Sequence, residues 1–231
     1  MFETFYSPLY VSLKTVLVST LITFSLGIGA AHWMANYSGK LKSLIDGLFL
    51  LPLVLPPTVV GFGLLFLFGN NGPLGKLFNL IGINVVFSWP ATVITAVIVS
   101  FPLMYMSARG GFEQVDINIE NAARTLGASE WRIFWTVTLP LSWPSVMAAT
   151  VLAFARALGE FGATLMLAGN IPGRTTTIPV AIYFKIQSGR MDEALILTLI
   201  VLAFAFISLV LLAYWKGKAR NNGRSKALAG N

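Results

Sequence analysis

The chain of 231 residues predicts an all-α polytopic membrane protein that crosses the bilayer five times. Three observations predict it. Charged residues make up 11% of the chain and hydrophobic residues 56%, against about 25% charged in a typical soluble domain. Long stretches carry no charge, and each approaches the roughly 20 apolar residues that a helix needs to cross a hydrocarbon core. The segments between them are short and polar, and their lysines and arginines are unevenly divided between the two sides.

The elements follow in order. The first span is expected at about 9–35, around the uncharged stretch Thr15–Ala31. It has no basic start and no clean small-residue cleavage site, so it reads as a retained helix rather than a signal peptide. The second, about 46–69, contains Pro52, Pro56 and Pro57. Proline removes a backbone donor and bends a helix, and in a bilayer the freed carbonyls must face protein or water. One bent helix is expected, with Pro56 and Pro57 either lining a pathway or marking a packing kink. The third span is placed at about 84–108. The fourth, about 140–166, carries Arg156 and Glu160 four residues apart, hence on one helix face. Intramembrane charges usually face a bundle interior or a cavity. They are read either as mutual neutralisation at a packing site or as a gate beside the pathway, where Gly159 and Gly162 allow close helix approach. The segment 173–190 holds Arg174, Lys185 and Arg190 and is too short to span; a loop with an amphipathic helix is expected. The fifth span, about 194–215, is uncharged, and a basic tail, 216–231, follows it.

Five spans put the termini on opposite sides. Segments 36–45, 109–139 and 216–231 hold ten lysines and arginines, whereas 1–8, 70–83 and 167–193 hold four. The positive-inside rule puts the first set in the cytoplasm, so the N-terminus is expected outside and the C-terminus inside. The basic tail suits anionic lipid rather than nucleic acid.

Much chemistry is excluded. Without cysteine there is no disulfide or thiolate chemistry, and the single histidine, His32, makes no multi-histidine metal site. There is no Ser-His-Asp set and no paired carboxylates, so a membrane-embedded enzyme has nothing to work with. A channel or ATP-independent secondary transporter would call for intramembrane ion ligands or inverted repeats, and neither is evident. A phosphate loop needs G-x4-G-K-[ST]. Near Gly75-Lys76, Asn70 stands at the first glycine position and Leu77 at the Ser/Thr position, so the chain is not expected to bind ATP.

The polar stretch after the third span is the most informative. Asp116 is a plausible N-cap. Ile117, Ile119, Ala122, Ala123 and Leu126 recur at near-helical spacing. Gly127 fits the left-handed position after a helix, and Ser129 can cap a second helix with Glu130 in its first turn. Trp131, Phe134 and Trp135 are expected on one face, with Pro140 opening the next span. Composition and spacing leave two readings open: an ordinary interfacial helix pair and a docking element for a soluble partner.

Asn121-Ala122-Ala123, three residues, Gly127, nine residues, then Val137, Thr138, Leu139 and Pro140 fall on the pattern E-A-A-x3-G-x9-I-x-L-P. The segment therefore resembles the cytoplasmic coupling loop of ABC importer permeases. Asn121 replaces the pattern's glutamate, with Glu120 one residue earlier, and Val137 replaces isoleucine. Together with LPLVLPPTVVGFG (51–63) and FARALGEFGATLMLAGNIPGRTTTIP (154–179), it makes residues 9–215 resemble the molybdate permease subunits of this family; sulfate and tungstate permeases are close alternatives. The resemblance implies a type I importer permease domain over 9–215, multi-pass in a bacterial or archaeal cell membrane. Its coupling loop, 116–139, would act through Glu120, Asn121, Ala122, Ala123, Gly127, Leu139 and Pro140. It implies a homodimer, two cytoplasmic ATPase subunits that carry ATP-Mg, and an extracytoplasmic oxyanion-binding protein, with no cofactor on this chain. Pro56, Pro57, Arg156, Glu160 and Gly162 are then candidates for the pathway or gate. Arg174 with Thr175, Thr176 and Thr177 is a candidate oxyanion or binding-protein contact, or else a solvated loop capping a short helix.

Overall fold

The computed structural model describes residues 2–229, with side chains described for 5–210 and 213. The side chains of the basic tail 216–231 thus lie outside the described residues. All regular structure among the described residues is helical. The helices are α1 (Phe2–Asn36), α2 (Lys42–Val54), α3 (Pro57–Phe68), α4 (Pro73–Leu80), α5 (Trp89–Glu113), α6 (Ile117–Thr125) and α7 (Glu130–Ile133). A π-helical turn, Phe134–Thr138, follows, then α8 (Leu139–Leu158), α9 (Gly162–Ala168), α10 (Ile178–Gln187) and α11 (Met191–Ala229). Four helices are long and apolar enough to cross a membrane, and α2 with α3 makes a fifth if the bent pair is one span.

Helices α1 and α5 form the spine of the bundle. Two hydroxyl pairs with the same sequence offset, Thr15–Thr92 at 2.9 Å and Thr23–Ser100 at 3.1 Å, set them parallel and fix their register. Away from water a hydroxyl needs a partner, so each pair satisfies two groups at once. Helix α8 runs back against α5: Ser142 and Ser145 lie beside Gly111, while Ala157 and Leu158 pack with Val16 and Ala96. One core joins the far ends of α1 and α5 to the π turn and α8, through Met34, Met104, Phe112, Phe134 and Leu139. A second, around Val60, Val99, Ala163 and Leu167, joins α3, α5 and α9 near the start of α5.

The second span departs from expectation. It is not one bent helix: α2 and α3 meet at 113°. Leu55 (φ −71°, ψ 142°) and Pro56 (φ −53°, ψ 138°) are both extended. Each precedes a proline, which disfavours helical backbone at the residue before it, and Pro57 then opens α3 at the position proline suits best. The fourth span is also broken, between Leu158 and Gly162, where a continuous helix was expected. Its start differs too. Pro140 opens no new helix, because Glu130–Leu158 runs as one stretch through the π turn. Phe134 is buried against His32 and Phe112, while Trp131 and Trp135 stay exposed. The three aromatics therefore do not share a face. Between α9 and α11, the short apolar α10 lies where a loop with a helix was expected.

Candidate functional site

Three groups of residues stand out. The first is at the end of the bundle where α1 and α5 finish. Helix α6 buries none of its residues. The Asp116 carboxylate accepts the Asn118 N–H at 2.9 Å, the expected cap. At the other end, Gly127 N–H donates to the Arg124 carbonyl at 2.9 Å and Ala128 N–H to the Ala123 carbonyl at 3.1 Å. This paired closure requires a left-handed residue, and Gly127 supplies it at φ 81°. The Ser129 hydroxyl then accepts the Arg132 N–H at 3.4 Å and caps α7.

Arg124, which the spacing argument did not single out, ties this corner together. Its Nε and Nη2 donate to both oxygens of Glu130, at 2.7 and 3.0 Å, across the glycine turn. Its Nη1 donates to Asn121 Oδ1 at 2.8 Å, and Nη2 reaches Glu120 at 3.4 Å. Hydrogen bonding to Glu130 holds the guanidinium above its usual pKa range. Glu120 accepts a second bond, from the Thr138 hydroxyl at 2.7 Å. Thr138 occupies the free position of I-x-L-P, so no pattern could have marked it. This bond attaches α6 to the root of α8. Leu139 is buried in the core beside it; Asn121, Ala122 and Pro140 are exposed and Ala123 is half-buried. Ile117, Ile119, Leu126 and Trp131 stand exposed on and just beyond α6. Beside this corner Arg109 pairs with Asp46 and, at 2.7 Å, with Glu113, and joins α2 to α5.

The second group is the break between α8 and α9. Glu160 is 3% exposed. One carboxylate oxygen accepts the free Ala163 N–H at the start of α9 at 2.8 Å, and the other accepts Arg156 Nη1 at 3.0 Å. The carboxylate therefore replaces a backbone partner that the break removes. Helix α9 rests on α3 through small residues. A Cβ on Gly61 would stand 2.7 Å from Ala163 Cα, and one on Gly162 would stand 2.9 Å from Pro57 Cβ. The structure thus brings Pro57, Glu160 and Gly162 to one locus, with Arg156 at its edge and Pro56 beside it.

The third group is the loop after α9, at the opposite end from α6. Arg174 is exposed, whereas Thr175, Thr176 and Thr177 are buried. Thr175 Oγ1 accepts the Ile171 N–H at 3.0 Å, and Thr176 Oγ1 donates to Asn170 at 2.7 Å. Both hydroxyls hold the loop itself, while that of Thr177 has no partner among the described residues. Lys14 was also passed over as the residue before an uncharged run. Its ammonium lies 4.0 Å from the centre of the Trp89 ring, and Trp89 Nε1 donates to Thr15 at 3.0 Å.

The chain is 46% identical over 202 residues to a molybdenum transport system permease protein of Escherichia coli, covering 87% of this chain and 88% of that one. To the same-named protein of Haemophilus influenzae it is 45% identical over 214 residues, with 92% and 93% covered. Among solved structures, a bacterial ABC transporter that imports the acidic polysaccharide alginate superposes with a TM-score of 0.75 over 95% of this chain and 80% of that one, at 17% identity, which is a likeness of fold. Residues 24–219 match the family described as the inner membrane component of binding-protein-dependent transport systems, and with most of its length matched, this chain belongs to that family.

Proposed function

We propose that this chain is the membrane permease of an ATP-driven molybdate importer, paired with a second copy of itself and worked by two separate ATPase subunits. The molybdenum permeases to which it is similar support the cargo. One observation carries the mechanism: the exposed helix α6 is fastened to the root of α8 by the Glu120–Thr138 bond. A partner that grips Ile117, Ile119 and Leu126 and moves would pull on α8 directly. Helix α8 leads to the Glu160 break, and α9 beyond it packs on α3 at Gly61. Movement at one end of the bundle thus reaches the bent second span through packed groups.

In this reading α6 faces the cytoplasm, with the N-terminus outside, and ATP is hydrolysed on the partner subunits rather than here. A binding protein delivers the anion to the end that carries Arg174. Residues 154–168 and the proline bend then line or gate the route. The chain performs no covalent chemistry; it alternates between two arrangements whose balance the ATPase sets.

The test is uptake into proteoliposomes that hold this chain with its ATPase and binding protein, with ATP inside and molybdate outside. Uptake that needs ATP and yields to excess molybdate more than to excess sulfate is expected. Uptake indifferent to ATP would sink the coupling role of α6; ATP-driven uptake that favours sulfate would replace the cargo and leave the mechanism.

A further inference from the structure

At the end of the bundle opposite α6, the start of α1, the loop after α9 and helix α10 enclose a cavity of about 170 Å³. Its described lining includes Ser7, Asn170, Thr176, Phe184, Lys185 and Arg190, two cations and no carboxylate. Three features set it apart from an ordinary surface crevice. Lys185 is only 4% exposed, and a buried ammonium is retained only where something compensates it. The Ser7 hydroxyl is buried without a hydrogen-bond partner among the described residues, although buried polar groups nearly always have one. Thr176 holds Asn170 through its side-chain oxygen, which leaves the amide NH2 as the group free to donate. The walls are otherwise apolar, from Pro8, Pro172, Ala181 and Phe184.

One group competes for the lysine from outside the lining. Glu193, in the first turn of α11, pairs with the Lys185 ammonium, and one of its oxygens lies 3.7 Å from Arg190. Lys185 also sits 5.2 Å from the Phe5 ring.

We infer that this cavity is a binding site for a tetrahedral oxyanion, held by Lys185 and Arg190 with Ser7 and Asn170 as donors, and that Glu193 occupies the lysine while the site is empty. An arriving anion takes the place of the Glu193 carboxylate beside the ammonium, and α11, which begins at Met191, is freed from α10 at that point. The shared chemistry admits two sources, a free oxyanion on its way to the pathway or the phosphate of a lipid headgroup. The first source rests on the importer reading above.

Equilibrium binding of radiolabelled molybdate to the assembled permease–ATPase complex, in a phosphate-free maltoside detergent and without binding protein, tests this. Lys185→Met is expected to weaken binding about tenfold or more, since a hydrogen bond to a charged group is lost. Arg190→Gln, at a side chain 52% exposed and so a safer substitution for folding, weakens it less. Glu193→Gln should strengthen it severalfold by removing the competitor. A purely structural Lys185–Glu193 pair would instead make both single changes lower the thermal midpoint and neither improve binding, and that result would overturn the site. So would an absence of binding by molybdate, sulfate or phosphate at millimolar concentration in the wild-type complex. If added phosphatidylglycerol displaces molybdate from the wild type but not from Lys185→Met, the site stands and its resident is the lipid phosphate. Uptake by the same preparation separates the two ideas. ATP-driven uptake without binding here defeats this inference alone, and binding here without ATP-driven uptake defeats the importer reading alone.

Discussion

The chain breaks its membrane helices twice, and the two breaks are made differently. Between α2 and α3 consecutive prolines favour extended backbone at Leu55 and Pro56 and remove two backbone donors, a bias that acts within three residues. Between α8 and α9 nothing local forbids a helix over Gly159–Phe161. That opening is held from the side: the Glu160 carboxylate occupies the Ala163 N–H, Arg156 balances its charge, and Gly61 lets α3 press against Ala163. A break written into the backbone is insensitive to its surroundings, whereas one held by a buried charge and close packing depends on every partner. The second kind is therefore the better hinge.

The comparison is broken most severely by Arg156→Met. It leaves Glu160 buried with one hydrogen bond, and a loss of about 3 kcal/mol is expected, read as a lowered denaturation midpoint in detergent micelles. Adding Glu160→Gln should return much of that loss. A double variant as unstable as the single one would mean that charge is not what holds the opening.

Next in size is Gly61→Val, whose Cβ would stand 2.7 Å from Ala163 Cα, and which should cost about 2 kcal/mol. Gly63→Val, where nothing lies within 4 Å, is the control. Equal effects at the two glycines would deny the close approach of α3 to α9.

Thr138→Val deletes the bond to Glu120 and should cost about 1 kcal/mol. Its larger effect is expected in reconstituted vesicles, where ATP hydrolysis continues while uptake falls. If hydrolysis and uptake remain in proportion, the bond does not carry motion from α6 to α8.

The smallest effect belongs to the proline break. Pro56→Ala should change stability by less than about 1 kcal/mol, because Pro57 still lacks a backbone donor and disfavours helical backbone at position 56. The Pro56→Ala/Pro57→Ala pair releases both residues, and the distance between spin labels at Gly47 and Phe66 should then lengthen as α2 and α3 straighten. An unchanged distance would show that tertiary packing, not proline, sets the 113° bend.

The spans were readable because a bilayer demands long uncharged helices whatever their neighbours are. The cap at Asp116 and the turn at Gly127 were readable because both are contracts between a side chain or a backbone angle and the next few residues. The sharp angle at Pro56 was half readable. Three prolines announced a bend, but their number says nothing of direction, and adjacent prolines give a corner rather than a curve. Phe134 was misplaced because i, i+3 and i+4 span about 100° of a helix, and only contact with His32 and Phe112 decides which edge of that arc is buried. The Arg124–Glu130 and Thr138–Glu120 bonds stayed hidden because these partners lie 6 and 18 residues apart, beyond the spacing at which helical neighbours meet, whereas Arg124 meets Glu120 at the ordinary spacing of four.

The sequence by itself determined an all-helical membrane chain, the polar segment after the third span and the positions of its caps, since hydropathy and backbone preference act over a few residues. Only the tertiary structure decided that Glu160 opens a helix, that Thr138 fastens α6 to α8 and that Lys185 closes over a cavity with Ser7. Each of these depends on which groups from distant segments meet where water is excluded, and there an unpaired charge or hydroxyl is costly enough to dictate its partner.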